Sequence, residues 1–450
     1  MAPLLISPNL TVSDGYEVVV KIPYRFNRPR YYTTASEAAT LQYLHSQGIP
    51  VPKPYGYSSS QDNEAGVEYL IIEKAPGVGL QSRWLEMSKR QRHKLASSFV
   101  EIEKKLTDLP LGCIGSIYFK EDIPSELQSS LYSPDGKRDQ RKTPAGYLQT
   151  IAQKEIAWIE QYGTPTELDF PHNGAFPGEK TPEYYVHLLK KYLAITPYLL
   201  PQKLDSLLHR PALRHRDLNP NNIFILPDTR AVTCIIDWQH TIIEPCILAA
   251  GYPPGFENPD AEPPQKLIEP TFPPDYKSMS LEQKAEADEL YRRRLTFYYY
   301  HIFNGYLNKP HLQALRDPLL LPRQHLVDRA AIKRSGDLMT LKGALVRMTE
   351  YWSQLPDTAG VPCPAQFTDD EMEGLPQQEQ LWFNLNKLVT QWHDQIGINP
   401  DGWVSNGRYA EAVRKIRELK AGFIDIADGD EEDIYLMEKG WPFRDREEVS

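Results

Sequence analysis

Apolar residues along this chain recur at two spacings, and the change between them divides it. Near the amino end the spacing is that of strands. Leu4, Leu5 and Ile6 mark a strand within residues 2–12, and Ser13-Asp14-Gly15 supplies a turn. YEVVVKIPY follows as a β-branched strand ending at Pro23. TTASEAATLQYLHSQG shifts to helical spacing, with Ala38, Leu41 and Leu44 on one stripe and Gly48 at its stop. IPVPKPYGY reads as an extended, proline-stiffened link, and YLIIE as a strand running into a Pro-Gly turn. From residue 87 helical spacing dominates. Leu95, Phe99, Ile102 and Leu106 stripe a helix over 87–107. Further helices are expected at 147–162, 182–196, 281–307, 323–356 and 368–394, with KIRELKAGF closing another. GCIGSIYF at 112–119 reads as a short strand pair, and 120–148 as loop.

Strand spacing returns once inside the helical part, in LRHRDLNPNNIFILPDTRAVTCIIDW at 213–238. Asn222 opens the strand NIFIL, and Pro227-Asp228-Thr229-Arg230 turns the chain. AVTCIID runs back with Val232, Cys234 and Ile236 on one face and Thr233 and Ile235 on the other. This hairpin returns Asp237 toward Asp217 and Asn222, so three oxygen-bearing side chains meet at one end of a small sheet. Magnesium takes hard oxygen ligands and keeps some waters. Asn222 and Asp237 supply the protein's share. Asp217, on a tight proline-containing loop, accepts the proton of an attacking hydroxyl or orients it. Such a set suits phosphoryl transfer, which asks the protein for positioning, a bridging cation and a base. The plainer alternative is a surface hairpin whose Asp and Asn cap turns. Beyond Asp237 the chain is expected to leave the sheet for a Pro-rich loop.

The pattern H-x-D-L-x-P-x-N followed by I-D-W resembles the catalytic and metal-binding loops of the aminoglycoside phosphotransferase family. The phrases KIPY, TTASEAATLQYL, YLIIEKAPGVGL, GSIYF, HRDLNPNNIF and IIDWQH resemble a fungal subgroup that includes altered inheritance of mitochondria protein 9. The resemblance implies an α+β, two-lobed, protein-kinase-like fold. Its small antiparallel-sheet lobe would span 1–75. A large, mainly helical lobe over 76–450 would carry the hairpin. ATP, magnesium and a small-molecule hydroxyl acceptor are implied with it. In such a fold Lys21 contacts the α- and β-phosphates, Glu37 orients Lys21, and backbone groups near Glu73 and Ala75 meet the adenine edge. His215 braces the loop by hydrogen bonding. A lysine in a buried strand is costly unless it meets an anion, whereas an edge-strand lysine simply faces water. Glu37 has a rival role, because Thr34-Ala35-Ser36-Glu37 fits a capping box.

The chain also departs from that family. Arg216 stands where many aminoglycoside kinases have Gly, which gives the HRD of protein kinases. Asn219 replaces the protein-kinase lysine, and IDWQ replaces D-F-G, so a protein kinase is the weaker subclass. Only about twenty residues precede Lys21, without G-x-G-x-x-G. They hold the second and third strands of a kinase-like small lobe but not the first with its glycine-rich loop. Either the chain is truncated relative to its relatives or the phosphate roof is missing. A missing roof weakens the positioning that transfer needs, and a weak or inactive pseudokinase scaffold is the alternative.

Composition narrows the partners. A net charge of −10, from 50 basic and 60 acidic side chains, argues against nonspecific nucleic-acid binding. An acidic acceptor groove would suit a cationic or polyhydroxylated acceptor. Cys113, Cys234, Cys246 and Cys363 form no C-x-x-C pair, which argues against zinc or a disulfide framework and for a reducing compartment. No apolar run is long enough to span a bilayer. MAPLLISPNL has neither a signal-peptide leader nor the early arginines of a transit peptide. The expected location is cytoplasmic, or mitochondrial through the subgroup's name alone. The aromatic run YRRRLTFYYYHIF is expected to pack. Asp428, Asp430, Glu431, Glu432 and Asp433 read as a solvated turn rather than a metal site.

Overall fold

Three strands open the chain: β1 (Leu5–Ile6), β2 (Asn9–Thr11) and β3 (Glu17–Pro23). They come from a computed structural model that describes residues 5–6, 9–11, 13, 15–23, 31–112, 114–125, 143–201, 206–215, 217–228, 230–260, 264, 266–331, 338–398, 404 and 406–443. Ile6 faces Ile22 and Asn9 faces Val19, so the single strand expected in 2–12 is two short ones, both antiparallel to β3. Helix α1 (Tyr32–Ser46) follows, then β4 (Pro54–Ser58) and β5 (Tyr69–Glu73). The sheet runs β1-β3-β5-β4, with β2 also on β3. Strand β4 replaces the expected proline-stiffened link. Its proline takes the first position of an edge strand, where a missing N–H costs little, and the register shifts between Pro54 and Gly56.

After β5 the chain crosses to a second sheet. Strand β6 (Val78–Gly79) pairs not with its neighbours in sequence but with the later hairpin. Gly77 makes the crossing possible. Its φ is +99°, and a Cβ there would stand 2.5 Å from the Ile225 carbonyl oxygen. Helix α2 (Lys89–Thr107) starts with a capping box between Ser88 and Gln91, and its predicted stripe of Leu95, Phe99, Ile102 and Leu106 is buried. The strand pair expected at 112–119 is reduced to one bridge, Gly115 to Ile243, because Gly115 turns away at φ +130°. Cys113 lies outside the described residues.

Strands β7 (Pro211–Leu213), β8 (Ile223–Ile225), β9 (Val232–Ile235) and β10 (Ile243–Pro245) build the region of the motif. β8 and β9 form the predicted hairpin, with Ile223 opposite Ile235. Both Cys234 and Ile235 are buried, so β9 has no solvent face there. The segment beyond Asp237 is not simply loop. Ile243–Pro245 pairs antiparallel with β7, and α3 (Cys246–Ala249) follows. Helices α4 (Leu281–Leu307) and α5 (Lys309–Leu315) then pack on α2 and α3. Tyr299 and Tyr300 of the aromatic run are buried, as expected of packing residues.

All these elements belong to one compact unit, Leu5–Pro144 with Lys203–Leu320; a second takes in Ala145–Gln202 and Leu321–Ser450. The second unit is helical. It includes Pro182–Ile195, Leu338–Glu350, Leu375–Ile396 and Tyr409–Ile426. Phe170 stacks on Trp392 at 6.0 Å and on Trp441 at 6.2 Å to form part of its core. The long helix expected over 323–356 is instead Leu320–Ala331 and Leu338–Glu350, with residues 332–337 outside the described set. The acidic run is not merely a turn. Asp430 accepts from the amides of Glu432 and Asp433 and caps the helix Glu431–Gly440, where negative charge suits the dipole. Among the described residues no helix is long and apolar enough to cross a membrane.

Candidate active site

Lys21 is 7% exposed, because alternation along β3 turns it inward opposite Leu70 of β5. The anion that its burial demands is supplied twice. Its Nζ lies 2.5 Å from Glu37 Oε1 and donates to Asp237 Oδ1 at 3.1 Å. Burial acts to lower the pKa of the ammonium, but the two carboxylates outweigh it and hold the pKa above the ordinary lysine value. For Glu37, burial favours the neutral acid and Lys21 the charged one. Burial is the larger of the two, and it lifts the Glu37 carboxyl above its ordinary value.

Glu37 is free to make that contact because the capping box does not form. Helix α1 begins at Tyr32, two positions before Thr34, and Tyr31 at its N-cap makes no side-chain cap. Thr34 donates instead to Glu68 Oε2 at 3.0 Å, and the Tyr31 amide donates to the same oxygen at 3.3 Å. The β-branched and small residues that suggested a later start sit inside the first turns.

Asp237 reaches Lys21 through its backbone. Its φ is +67°, the left-handed region that Asp tolerates better than most residues. Its neighbours are anchored on both sides. The Ile236 carbonyl lies 2.8 Å from His215 Nε2, and Trp238, fully buried, donates from Nε1 to the Ile235 carbonyl at 2.8 Å. The His215 ring also meets Trp238 edge-on at 4.8 Å. Burial pushes the pKa of His215 down, so it serves as a neutral brace, as expected. The Asp237 side chain remains 26% exposed and is the open end of the Lys21 cluster.

The loop from Asp217 to Asn222 closes on itself. Asn222 Nδ2 donates to the Asp217 carbonyl at 2.7 Å and to its Oδ2 at 3.1 Å. Asn219 Nδ2 donates to Asp217 Oδ1 at 2.7 Å, and Asn219 Oδ1 accepts from the Asn221 amide at 2.8 Å. The carboxylate is thus held by two amides, one on each oxygen. Asn219 was noted in the sequence only as a replaced lysine; its position before proline was the available sign of a side-chain-closed turn. Leu218 is buried and pins the loop from below. The Ile236 amide donates to the Asn222 carbonyl at 2.9 Å, which extends the hairpin ladder and sets Asp237 one residue beyond Asn222. Arg216 lies outside the described residues.

This donor set suits a hard cation. Both side-chain bonds of Asn222 leave from Nδ2, so Oδ1 is its remaining donor, and Asp237 offers a carboxylate. Among the described residues no three His, Cys, Asp or Glu are grouped so as to hold a metal ion. At the end of β5, the Glu73 amide is committed to the Lys53 carbonyl at 2.9 Å. Ala75 lies between β5 and β6 and makes no backbone bond to another described residue. The cluster that joins β3, α1 and the end of the hairpin therefore gathers Lys21, Glu37 and Asp237 directly, and the Asp217–Asn222 loop connects to it through the Ile236–Asn222 backbone bond.

A model of the phosphotransferase enzyme family matches residues 9–245, a span that contains every residue just named. The chain belongs to the phosphotransferase enzyme family. The resemblance read from the motif is thereby confirmed, and with it the kinase-like α+β class: an antiparallel sheet in the amino-terminal part and a mainly helical remainder. A subtelomeric hrmA-associated cluster protein of Aspergillus fumigatus is 27% identical over 496 residues, covering 98% of this chain and 95% of that one. Altered inheritance of mitochondria protein 9, mitochondrial, of Candida tropicalis is 23% identical, covering 88% of this chain and 70% of its own. Among solved structures, the streptomycin–ATP–APH(2″)-IIa ternary complex is 13% identical with a TM-score of 0.36, covering 76% of this chain and 91% of that one.

Proposed function

We propose that this member of the family is an ATP-dependent phosphotransferase acting on the hydroxyl of a small molecule. The observation that carries the reading is the Lys21–Glu37–Asp237 cluster, a buried ammonium held between two carboxylates from α1 and the hairpin. ATP would supply the transferred phosphoryl group, and magnesium would supply positive charge against the developing negative charge. Lys21 takes the α- and β-phosphates, and Glu37 fixes its direction. Asn222 Oδ1 and the Asp237 carboxylate would hold the cation. Asp217, held by Asn219 and Asn222, receives the proton of the acceptor hydroxyl. Ala75 would offer its backbone groups to the adenine edge, and Glu73 its carbonyl, since the Glu73 amide is taken by Lys53. In this reading residues 1–75 form the nucleotide-binding lobe and 76–450 the acceptor side. The relatives named for mitochondria support a mitochondrial location, with the cytoplasm as the alternative.

Thermal unfolding with and without millimolar Mg-ATP tests the reading. A ligand that binds only the folded state raises the midpoint as occupancy rises. An unchanged midpoint would leave a nucleotide-free scaffold as the better account. Transfer of labelled phosphate to pools of amino alcohols and sugars, and to a peptide pool, then separates a small-molecule kinase from a protein kinase.

A further inference from the structure

Behind the catalytic loop lies a buried polar cluster that the proposed transfer does not use. Glu103 on α2 is 5% exposed, Tyr300 on α4 is 0% exposed and His311 on α5 is 6% exposed. The Tyr300 hydroxyl donates to Glu103 Oε2 at 2.7 Å and lies 2.9 Å from His311 Nε2. It also lies 3.4 Å from the Gly251 carbonyl. Arg214 comes from the end of β7, three positions before Asp217. Its guanidinium fills the space that a Cβ on Gly251 would take, and its Nη1 donates to the Ala249 carbonyl at 3.2 Å.

Two atoms of this cluster are left over. Glu103 Oε1 and Arg214 Nε are both buried and have no hydrogen-bond partner among the described residues. One is an acceptor and the other a donor, and the two side chains attract each other electrostatically. Buried unsatisfied groups of this kind carry a free-energy cost that their pairing removes. We propose that Glu103 and Arg214 are positioning residues for the catalytic loop: ionised Glu103 draws the Arg214 guanidinium toward its free oxygen, and protonated Glu103 releases it.

The protons balance without any further group. A hydroxyl donates one hydrogen bond and accepts two. With Glu103 ionised, Tyr300 donates to Oε2 and His311 Nε2–H donates to Tyr300. When a solvent proton joins Oε2, Glu103 donates to Tyr300, and the Tyr300 proton turns to the Gly251 carbonyl. That carbonyl belongs to the residue against which Arg214 rests. The groups facing Glu103 are Tyr300 from α4, His311 from α5 and Arg214 from the β7 side. The Tyr252–His301 pair, 2.7 Å apart, and Arg316 lie around His311. Burial holds His311 neutral, down to about 3, and lifts Tyr300 well above its ordinary value. Burial also pushes Glu103 up to about 7, against the pull of Arg214. Glu103 is therefore the member that titrates near neutrality.

The inference rests on the reading of the Asp217 loop as catalytic, so its test reads the loop without nucleotide. Amide hydrogen exchange over 213–222 is measured at pH 6 and pH 8 and corrected for the intrinsic chemical rate. The full chain is expected to exchange about tenfold more slowly at pH 8, the scale of a typical coupling between sites. In Glu103→Gln, which still accepts from Tyr300 but cannot ionise, the corrected rates should be equal at the two pH values. Arg214→Gln should equalise them as well, while Arg214→Lys should keep part of the difference. Arg214→Gln answers the question even if Glu103→Gln fails to fold. Equal rates in the unaltered chain, or a difference that survives Glu103→Gln or Arg214→Gln, overturn the inference. A pH-dependent loop in a protein that shows no Mg-ATP shift would sink the kinase reading and leave this pair standing.

Discussion

Lys21 Nζ and Asp237 Oδ1 lie 3.1 Å apart, although 216 positions separate them in the chain. Each end of the contact has a local cause. The alternation of β3 buries Lys21, and the left-handed backbone at Asp237 turns its carboxylate back from the end of the hairpin. Glu37 completes the cluster from α1.

Removing the ammonium should expose the cost of that arrangement. Lys21→Met leaves Glu37 as a buried carboxylate without its cation, and breaking such a pair costs about 3–5 kcal/mol. Urea unfolding should show that loss, and Lys21→Met with Glu37→Gln should recover most of it. If the double variant is no more stable than the single one, the two residues are not energetically coupled.

Asp237→Asn keeps the size and tolerates the same backbone, so the fold should survive. It removes the only carboxylate assigned to the cation. The rise in unfolding midpoint with ATP should then no longer depend on added magnesium. Persistent dependence would move the cation to other ligands.

Asp217→Asn should lower the unfolding midpoint only modestly: its new amide group faces one of the two Nδ2 donors that the carboxylate accepts from, but the side chain is half-buried on a loop. Phosphoryl transfer should fall by a factor of about 10² or more, the scale of general-base catalysis. Retained turnover in a steady-state assay would make Asp217 structural.

Gly77→Ala combines a left-handed backbone with a Cβ 2.5 Å from the Ile225 carbonyl oxygen. A backbone clash of this kind, added to the strain, should cost about 2 kcal/mol or more in urea unfolding. An unaffected variant would mean that the crossing from β5 to the hairpin sheet can shift freely.

The pH dependence of stability has a definite sign at Glu103. Its carboxyl lies at about 7 in the folded chain against an ordinary value of 4.5, so the folded state binds the proton more tightly. Its contribution is full below the unfolded value and is lost as pH rises from about 4.5 through about 7. Glu103→Gln should flatten this part of the stability profile, seen as a smaller fall in unfolding midpoint between those pH values. An unchanged slope would assign it to other groups.

The sequence by itself determined the local pieces. β-Branched runs fixed β3 and β5, helical stripes fixed α1 and α2, and the apolar alternation and turn residues between Asn222 and Asp237 fixed the hairpin. These follow from side-chain periodicity and turn residues, which act within a few positions. The demand that Lys21 meet an anion was also legible, since a buried charge must be paired. Glu37 was named for it through the family resemblance, against a rival local use in capping α1, whereas the second carboxylate, Asp237, was not legible. Only tertiary structure settled which use Glu37 takes, by starting α1 earlier and giving Thr34 to Glu68. The strand at Pro54, the β7–β10 pair and the amide clamp of Asn219 on Asp217 were decided in the same way. The Glu103–Tyr300–His311 cluster was as well. Each depends on partners far apart in the chain, whose approach is set by how the core closes rather than by any run of neighbouring residues.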